Sequence, residues 1–424
     1  MKANQIIELI ENGNLPIIDE LYSDTDAKKA RLIGAVRSFV KLYGEERDIF
    51  IFSVPGRTEV SGNHTDHNNG AVLAASINKD IIAVAAMRDD GVIRFLSEGY
   101  PEDTVNISDT RSTKKFEKYT SASLIAGVVN GISELGYPVS GFDAYATSDV
   151  LKGSGISSSA AYEVMIGNII NHLYCGAKLT GVDLAKIARY AENEYFGKPC
   201  GLMDQMACAV GGFVYIDFEN NESPVVDAIP FSLTEAGYSL CIVNTGGSHA
   251  DLNEDYASVP AEMRAVAKLL GRDTLRGLTE EDIIKNLGNI RRLVGDRAVL
   301  RSLHFLRENE RVEQVREALK LGDVNKFLKT VSESGRSSFE YLQNVYSNVN
   351  VKEQGIALAL ALTEGFFKTK SFACRVHGGG FAGTIQVFLK NEDVPAYVQY
   401  MNSAIGEGSA EAFSIRSFGA VRIV

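Results

Sequence analysis

Apolar runs and apolar ridges, separated by turn residues, divide the chain into extended and helical segments. Residues 1–48 are charged and read as short helices leading into a first strand, Ile49 to Val54. A polar, turn-rich stretch from Pro55 to Gly70 follows, then a β-like run from Ala71 to Ala86 and a segment, Arg88 to Lys118, without a clear period. Ala144 to Val150 reads as another strand running into a loop, Leu151 to Ser158. Beyond that loop Ala161, Met165, Ile169 and Leu173 recur every four residues, the ridge of a helix that Gly176 would stop. Thr180 with Asp183 predicts a capping box opening a second helix, whose stripe is Leu184, Ile187, Ala188, Ala191 and Tyr195, ended by Gly197. Phe213 to Phe218 and Ser239 to Asn244 read as strands. Ser258 and Pro260 predict a helix start, with Gly271 as its stop. Long amphipathic helices around 281–330 and 351–367 and strand candidates at Thr384 to Leu389 and Val421 to Val424 complete the pattern.

Strands and helices mixed without strict alternation indicate an α+β fold. At 424 residues the chain exceeds what one core usually organises, so two lobes are expected, 1–230 and 231–424. The net charge of −11 argues against a nucleic-acid partner, because phosphate backbones reward basic patches. Any anionic ligand then depends on local backbone donors and a few cations. Five cysteines without a C-x-x-C pair suit neither a disulfide framework nor a zinc ribbon. The start of the chain has no apolar signal-peptide core. The longest apolar run, Ile81 to Met87, is far short of the ~20 residues that span a bilayer. A soluble cytoplasmic protein with no membrane partner is expected, as a monomer or weak dimer.

Four segments carry candidate chemistry. Pro55 to Gly70 crowds two histidines, an aspartate, three asparagines and an arginine into one turn region. It reads as a solvated loop, a metal site through His64, Asp66 and His67, or a sugar site whose short polar groups pair with ring hydroxyls. Gly153-Ser154-Gly155-Ile156-Ser157-Ser158-Ser159-Ala160-Ala161 lies between strand and helix. There glycines let the backbone approach a phosphate, the helix N-terminus binds the anion, and serine hydroxyls can ligate Mg²⁺. The Walker pattern is absent, so a phosphate loop here belongs to another superfamily. Arg375 to Gly383 is a third glycine-rich element, a hairpin turn as readily as a ligand loop. Asp204, among apolar and small residues in Cys200 to Met206, is either a structural cap or a buried carboxylate with a task.

In their order along the chain these segments resemble the galactokinase family of the GHMP kinase superfamily. Gly56 to Gly70 is similar to its signature, usually G-R-V-N-L-I-G-E-H-T-D-Y-N-x-G, Gly153 to Ala161 to its ATP loop, and Gly378 to Gly383 to its third motif. Cys200 to Gln205, His249 to Leu252 with Asp255-Tyr256, and Glu308 to Val312 also match family stretches. The resemblance implies two α+β lobes with an active site in the cleft between them, and a sugar 1-kinase using ATP and Mg²⁺. It implies Asp204 as general base with Arg57 beside it, and Ser158 and Glu192 as Mg²⁺ ligands. Gly153, Ser154, Gly155, Ile156, Ser157, Ser158 and Ser159 would cradle the triphosphate, and Asn63, His64, Asp66, Gly201, Asp204 and Tyr256 would contact the sugar. Glu192 follows Ala188 by four residues, which places it beside the buried stripe of its helix.

The chain departs from the family pattern at several places. Asn63 stands where glutamate is usual, on the side of the sugar C6 group, and His67 where tyrosine is usual. A neutral amide there makes galacturonate a chemically reasonable substrate beside galactose. Thr58-Glu59 replaces Val-Asn, and His377 and Ala382 replace Thr and Gly. The chain has no tryptophan, so the one often found near the adenine is missing. A silent sugar and nucleotide sensor would be free to lose its base, metal ligands or phosphate loop, yet all are present. A kinase for a non-sugar substrate would lack the His64-Thr65-Asp66 signature.

Overall fold

The computed structural model describes residues 1–22, 25–150, 155–247 and 252–424. Its strands are, in chain order, β1 (Phe50–Ser61), β2 (Ala71–Met87), β3 (Val92–Ser97), β4 (Asp103–Asn106), β5 (Phe142–Ser148), β6 (Phe213–Asp217), β7 (Val225–Ile229), β8 (Tyr238–Asn244), β9 (Phe372–His377), β10 (Thr384–Lys390), β11 (Ala410–Phe413) and β12 (Val421–Arg422). The chain forms two compact units. The first comprises Met1–Arg57, Ser76–Gly212 and Arg416–Val424, and the second Thr58–Ala75 and Phe213–Ile415. This division follows packing and not chain order, unlike contiguous lobes split near residue 230. Strand pairing is the reason: Ala71 to Ala75 of β2 pair with β6, whereas Ile81 to Met87 pair with β5.

In the first unit the sheet order is β12-β1-β2-β5-β3-β4, with β3 parallel to β5 and β2 antiparallel to β5. The N-terminal helices Ala3–Glu11 and Thr25–Tyr43 pack Ile6, Ile10, Leu32, Val36 and Phe39 against Ile51 of β1 and the alternate β2 residues Ile82, Val84 and Ala86. The side-chain period of two is what puts those β2 residues on one face. Among the described residues five further α-helices belong to this unit: Pro16–Leu21, Ser121–Glu134, Ser158–Tyr174, Gly181–Tyr190 and Met203–Val210. The predicted capping box is present, with Asp183 N–H donating to Thr180 Oγ1 at 3.2 Å and Thr180 N–H to Asp183 Oδ2 at 2.9 Å. The helix it opens changes to a π-helical turn over Ala191–Phe196 before Gly197 ends it with φ 85°. Gly127 makes room for that turn, since a Cβ there would lie 2.7 Å from Ala191 Cα.

The second unit holds the antiparallel sheet β11-β8-β10-β9, packed on the helices Gly355–Phe367 and Val394–Ile405, and the pairing β2-β6-β7. A second cluster gathers Val259, Met263 and Val266 of Asn253–Leu269 with Ala298, Val299 and Phe305 of Asp296–Lys320. Three expectations change. β1 continues to Ser61, so only Gly62 to Gly70 of the stretch expected to be turn is turn. Pro260 lies inside the helix Asn253–Leu269 and does not open it; Asp255 O accepts from Ser258 Oγ at 2.7 Å within the preceding turns. The aperiodic stretch after Arg88 contains the hairpin β3–β4, where buried Ile93 and Phe95 alternate with charged and half-buried neighbours.

A buried carboxylate ties the first unit together. Asp80, fully buried on β2, accepts from Arg31 Nη1 at 2.6 Å, Arg416 Nη1 at 3.2 Å, Tyr22 OH at 2.6 Å and Ser53 Oγ. Burial pushes its pKa up, but Arg31, Arg416 and Lys28 outweigh that and hold it below the usual value. A depressed pKa adds stability that is present above the unfolded carboxyl's pKa and is lost as pH falls through the folded one. Asp80→Asn removes the charge partner of buried Arg416 and one partner of half-buried Arg31, and is expected to cost ~3–5 kcal/mol in urea unfolding at pH 7. The difference from the native chain should shrink below pH ~4 as the native carboxyl protonates; a constant difference across pH would contradict the assignment.

Candidate active site

Arg57 ends the first-unit part of β1 and reaches Asp204 at two points. Its Nε donates to Oδ1 at 2.7 Å and its Nη2 to Oδ2 at 2.9 Å, while Nη1 donates to the Gly155 carbonyl at 2.8 Å. Asp204 is the second residue of the helix Met203–Val210 and also accepts from Ser157 Oγ. About 35% of its side chain is exposed, so a substrate hydroxyl can reach it. Burial raises the Asp204 pKa, and the charge and hydrogen bonds of Arg57, then Ser157 and Lys198, more than reverse this. The carboxylate therefore stays ionised at neutral pH.

Ser157 precedes the helix Ser158–Tyr174 in the left-handed conformation, φ 62° and ψ 61°, and caps none of its amides. Its hydroxyl is turned to Asp204 instead. Gly155 is also left-handed, φ 76°. The 17-residue helix that follows has no acidic residue of its own in its first turn, so its N–H groups and positive dipole end are open to an anion beside the Asp204 and Glu192 carboxylates that meet its serines. Ile156 is buried, and Ser158 and Ser159 are half-buried. Gly153 and Ser154, expected in the same loop, and His249 to Asp251 lie outside the described residues.

Glu192, on the π-helical turn, is 2% exposed, as its place beside the stripe predicts. Its Oε2 accepts from Gln205 Nε2 at 2.7 Å, and its Oε1 from Ser159 Oγ at 3.3 Å and Lys198 Nζ at 3.2 Å. Glu163 beside it has a pKa pushed well up by burial and then by the Glu192 charge. Glu163 Oε1 and Gln205 Oε1 are buried and without a hydrogen-bond partner among the described residues. Carboxylate, hydroxyl and unpaired carbonyl-type oxygens suit a hard divalent cation of the Mg²⁺ kind. No cluster of three or more His, Cys, Asp or Glu side chains that could hold a metal occurs among the described residues. Gly201, near Asp204 in sequence, is exposed.

In the second unit the signature turn is held from both ends by the helix Asp296–Lys320. Glu308, fully buried, accepts from the Gly62 N–H at 3.0 Å, Ser334 Oγ at 2.5 Å and Arg311 Nε at 2.7 Å, while Asn309 Oδ1 accepts from the Ala71 N–H at 2.7 Å. Although burial opposes it, the Arg311 charge, with Arg375 and the Ser334 hydrogen bond behind it, holds the Glu308 carboxyl far below its usual range. His304 Nε2 lies 3.0 Å from the Asn63 carbonyl and Nδ1 2.9 Å from Ser337 Oγ. Since a carbonyl only accepts, Nε2 carries the proton and Nδ1 accepts from the serine. Burial lowers the His304 pKa to about 4, so the ring is neutral.

His64, at φ 59°, lies with its Nε2 2.9 Å from the Gly379 carbonyl, and Tyr256 OH donates to the Gly380 carbonyl at 2.8 Å. Gly379 is required there: a Cβ would lie 2.7 Å from the Tyr256 ring. The third glycine-rich element thus meets His64 and Tyr256. Asp66 begins the 3₁₀ turn Asp66–Asn68 and is half-buried. His67, neutral with its pKa lowered to about 3 by burial, has an Nε2 without a partner among the described residues.

Asn63 differs from the expected sugar contact. It is 1% exposed; its Nδ2 donates to Glu59 Oε1 at 2.9 Å and the Gly378 carbonyl at 2.7 Å, and its Oδ1 accepts from Asn344 Nδ2 at 2.8 Å and Ser338 Oγ at 3.3 Å. An amide forms four hydrogen bonds, and all four are used. The donor that a C6 carboxylate would need is therefore spent inside the unit. Glu59 in turn accepts from Arg375 Nη2 at 3.1 Å. The usual signature has asparagine at the position of Glu59 and glutamate at that of Asn63, so the two departures are one reciprocal exchange between side chains in contact. Thr58 and His377, two further departures, also meet, with Oγ1 and Nε2 3.1 Å apart. Asn344 and Glu163 were invisible in the sequence, where no motif marked them, and Gln205 lay in the matching stretch Cys200 to Gln205 without a role assigned to it.

Residues 37–87 match the model of the galactokinase galactose-binding signature, and residues 121–212 that of the GHMP kinases N-terminal domain. A Streptomyces coelicolor galactokinase is 31% identical over 399 residues, 91% of this chain and 97% of that protein. A Thermotoga petrophila galactokinase is 31% identical over 337 residues, 79% and 88%. Among solved structures, Lactococcus lactis galactokinase complexed with galactose superposes with a TM-score of 0.74 at 22% identity, covering 91% of this chain and 98% of that one. The Methanococcus jannaschii mevalonate kinase gives 0.60 at 14% identity, over 87% and 98%, so the α+β fold is that of the GHMP kinases.

The exchange of Glu59 and Asn63 can be tested by a double-mutant cycle in urea. Asn63→Glu sets a second carboxylate against Glu59, and Glu59→Asn strands buried Arg375; each should cost ~2–4 kcal/mol. The double variant should cost at least ~1 kcal/mol less than their sum. Additive losses would mean the two positions are independent.

Proposed function

This chain belongs to the galactokinase family, and from that premise we propose that it transfers the γ-phosphoryl group of ATP to the anomeric hydroxyl of D-galactose. The observation that carries the reading is the ionised Asp204 carboxylate, gripped at two points by Arg57 and partly open to solvent. In the reaction the anomeric oxygen bonds to the γ-phosphorus, the bond from that phosphorus to the β,γ-bridging oxygen breaks, and ADP leaves. The hydroxyl proton passes to Asp204. A carboxylate held below its usual pKa is a weak base, so its main task is to orient the hydroxyl. That suffices, because a loose phosphoryl-transfer transition state needs little prior deprotonation. Arg57 keeps Asp204 charged and adds a cation beside the transferring group.

The backbone from Gly155 to Ser159, at the start of the helix Ser158–Tyr174, is assigned to the phosphates, with Gly153 and Ser154 preceding it in sequence. Ser158 and Glu192 are assigned to Mg²⁺, with Ser159 and Gln205 holding the Glu192 carboxylate. Bound there, the ion neutralises charge on the nucleotide phosphates. His64, Asp66, Gly201 and Tyr256 are assigned to the sugar hydroxyls, and Asn63 to positioning the turn that carries His64. The cytoplasmic setting and the monomer or weak dimer expected from the sequence belong to this reading. They rest on five cysteines without a C-x-x-C pair and on the acidic charge balance.

ADP release from ATP and Mg²⁺ across D-galactose, D-galacturonate, N-acetylgalactosamine and L-arabinose tests the proposal. Galactose should turn over, and Asp204→Asn should lower kcat by about 10²–10⁴-fold. Arg57→Met lets the Asp204 pKa climb, so the acid limb of kcat/KM should move to higher pH as kcat falls. Turnover of galacturonate without galactose, or full activity in Asp204→Asn, would overturn it.

A further inference from the structure

Lys198 follows the π-helical turn that bears Glu192, and its backbone is fixed to the same residue. The N–H groups of Gly197 and Lys198 both donate to the Glu192 carbonyl, at 3.0 and 3.1 Å, with Gly197 left-handed at φ 85°. The side chain then folds back so that Nζ lies 3.2 Å from Glu192 Oε1. The two oxygens of Glu192 are thus unequally held. Oε2 is bonded to the amide of fully buried Gln205, whereas Oε1 is shared between the Ser159 hydroxyl and a lysine whose side chain is 58% exposed. Burial lowers the Lys198 pKa, but Glu192 and then Asp204 raise it above the ordinary lysine value, so the ammonium stays charged.

We propose that Lys198 is a resident competitor of the divalent cation: its ammonium occupies the Glu192 oxygen nearest the serine-bearing helix, and the cation must displace it to bind. The inference rests on the assignment of Glu192 to the metal. The tether is short, because the lysine is anchored to the backbone of the residue whose carboxylate it pairs with, so the competing charge is always at hand. Exchange is easy on the lysine side, since a half-exposed ammonium can return to water, and costly at Gln205, which cannot. The device keeps a buried carboxylate neutralised until metal arrives, sparing the protein an unpaired charge.

The test is a titration of Mn²⁺ alone, without nucleotide, followed by electron paramagnetic resonance of the free ion. The native chain is compared with Lys198→Gln, and Glu192→Gln defines binding elsewhere on the surface. Removal of the competitor should tighten the Glu192-dependent site about three- to tenfold, while Lys198→Arg stays close to the native value. A purely structural ion pair would instead leave Mn²⁺ affinity unchanged or weakened in Lys198→Gln, and either result overturns the proposal. Identical titrations of the native chain and Glu192→Gln would overturn it as well, by removing the metal from Glu192. Galactose-dependent ADP release, measured separately, reports on the kinase reading whatever the metal result.

Discussion

The first unit is arranged around a carboxylate that must remain ionised while half withdrawn from water. Asp204 meets that condition because Arg57 contacts both of its oxygens and Ser157 adds a hydroxyl. Each partner has its own backbone requirement. Ser157 takes the left-handed region and gives up its role as a helix cap, and the Gly155 carbonyl, on another left-handed residue, receives the third arm of Arg57. Left-handed conformations cost a non-glycine residue about 1–2 kcal/mol. They persist here because the same atoms that hold Asp204 also aim the helix start. The Asp204 carboxylate and the backbone from Gly155 to Ser157 are therefore one hydrogen-bonded assembly.

In the second unit the corresponding constraint is a turn rich in strained and polar residues. His64 and Asn69 both have positive φ. Glu308 and Asn309, adjacent on one helix, grip the Gly62 and Ala71 amides, while neutral His304 holds the Asn63 carbonyl between them. Three successive contacts along one turn of backbone over-determine its path, which is how such strain is retained. The stretch Glu308 to Val312 is conspicuous in the sequence for this reason: it supports the signature.

Much of this was legible beforehand. The β2 run, the four-residue ridge after the Gly153–Ser159 loop, the capping box at Thr180 and the buried placement of Glu192 each follow from periodicity or local hydrogen bonding, which short sequence windows contain. The elements that escaped depend on distant partners. In the β3–β4 hairpin the apolar neighbours Val92 and Leu96 blur the alternation of Ile93 and Phe95, and its pairing to β5 decides it. Pro260 is a helix-start signal that tertiary packing of Val259 and Met263 overrides. The division into units depends on which strand β2 pairs with along its length. Lys198 carries no motif at all; only the fold of the loop back onto Glu192 gives it a partner.

Asn63 teaches the more general point. Taken singly, asparagine in place of glutamate predicts a donor turned toward the substrate, and a changed sugar. Taken with Glu59, the substitution is a transfer of one carboxylate across a 2.9 Å contact, with Arg375 near its new position. The charge within this buried group is conserved although both positions differ from the family pattern. Thr58 and His377 repeat the relation across 319 residues of sequence. A buried polar group without a partner costs several times what its hydrogen bond contributes, so such substitutions are tolerated chiefly in pairs. Departures in a signature therefore report on substrate only after their partners have been found, and here the partners lie inside the protein.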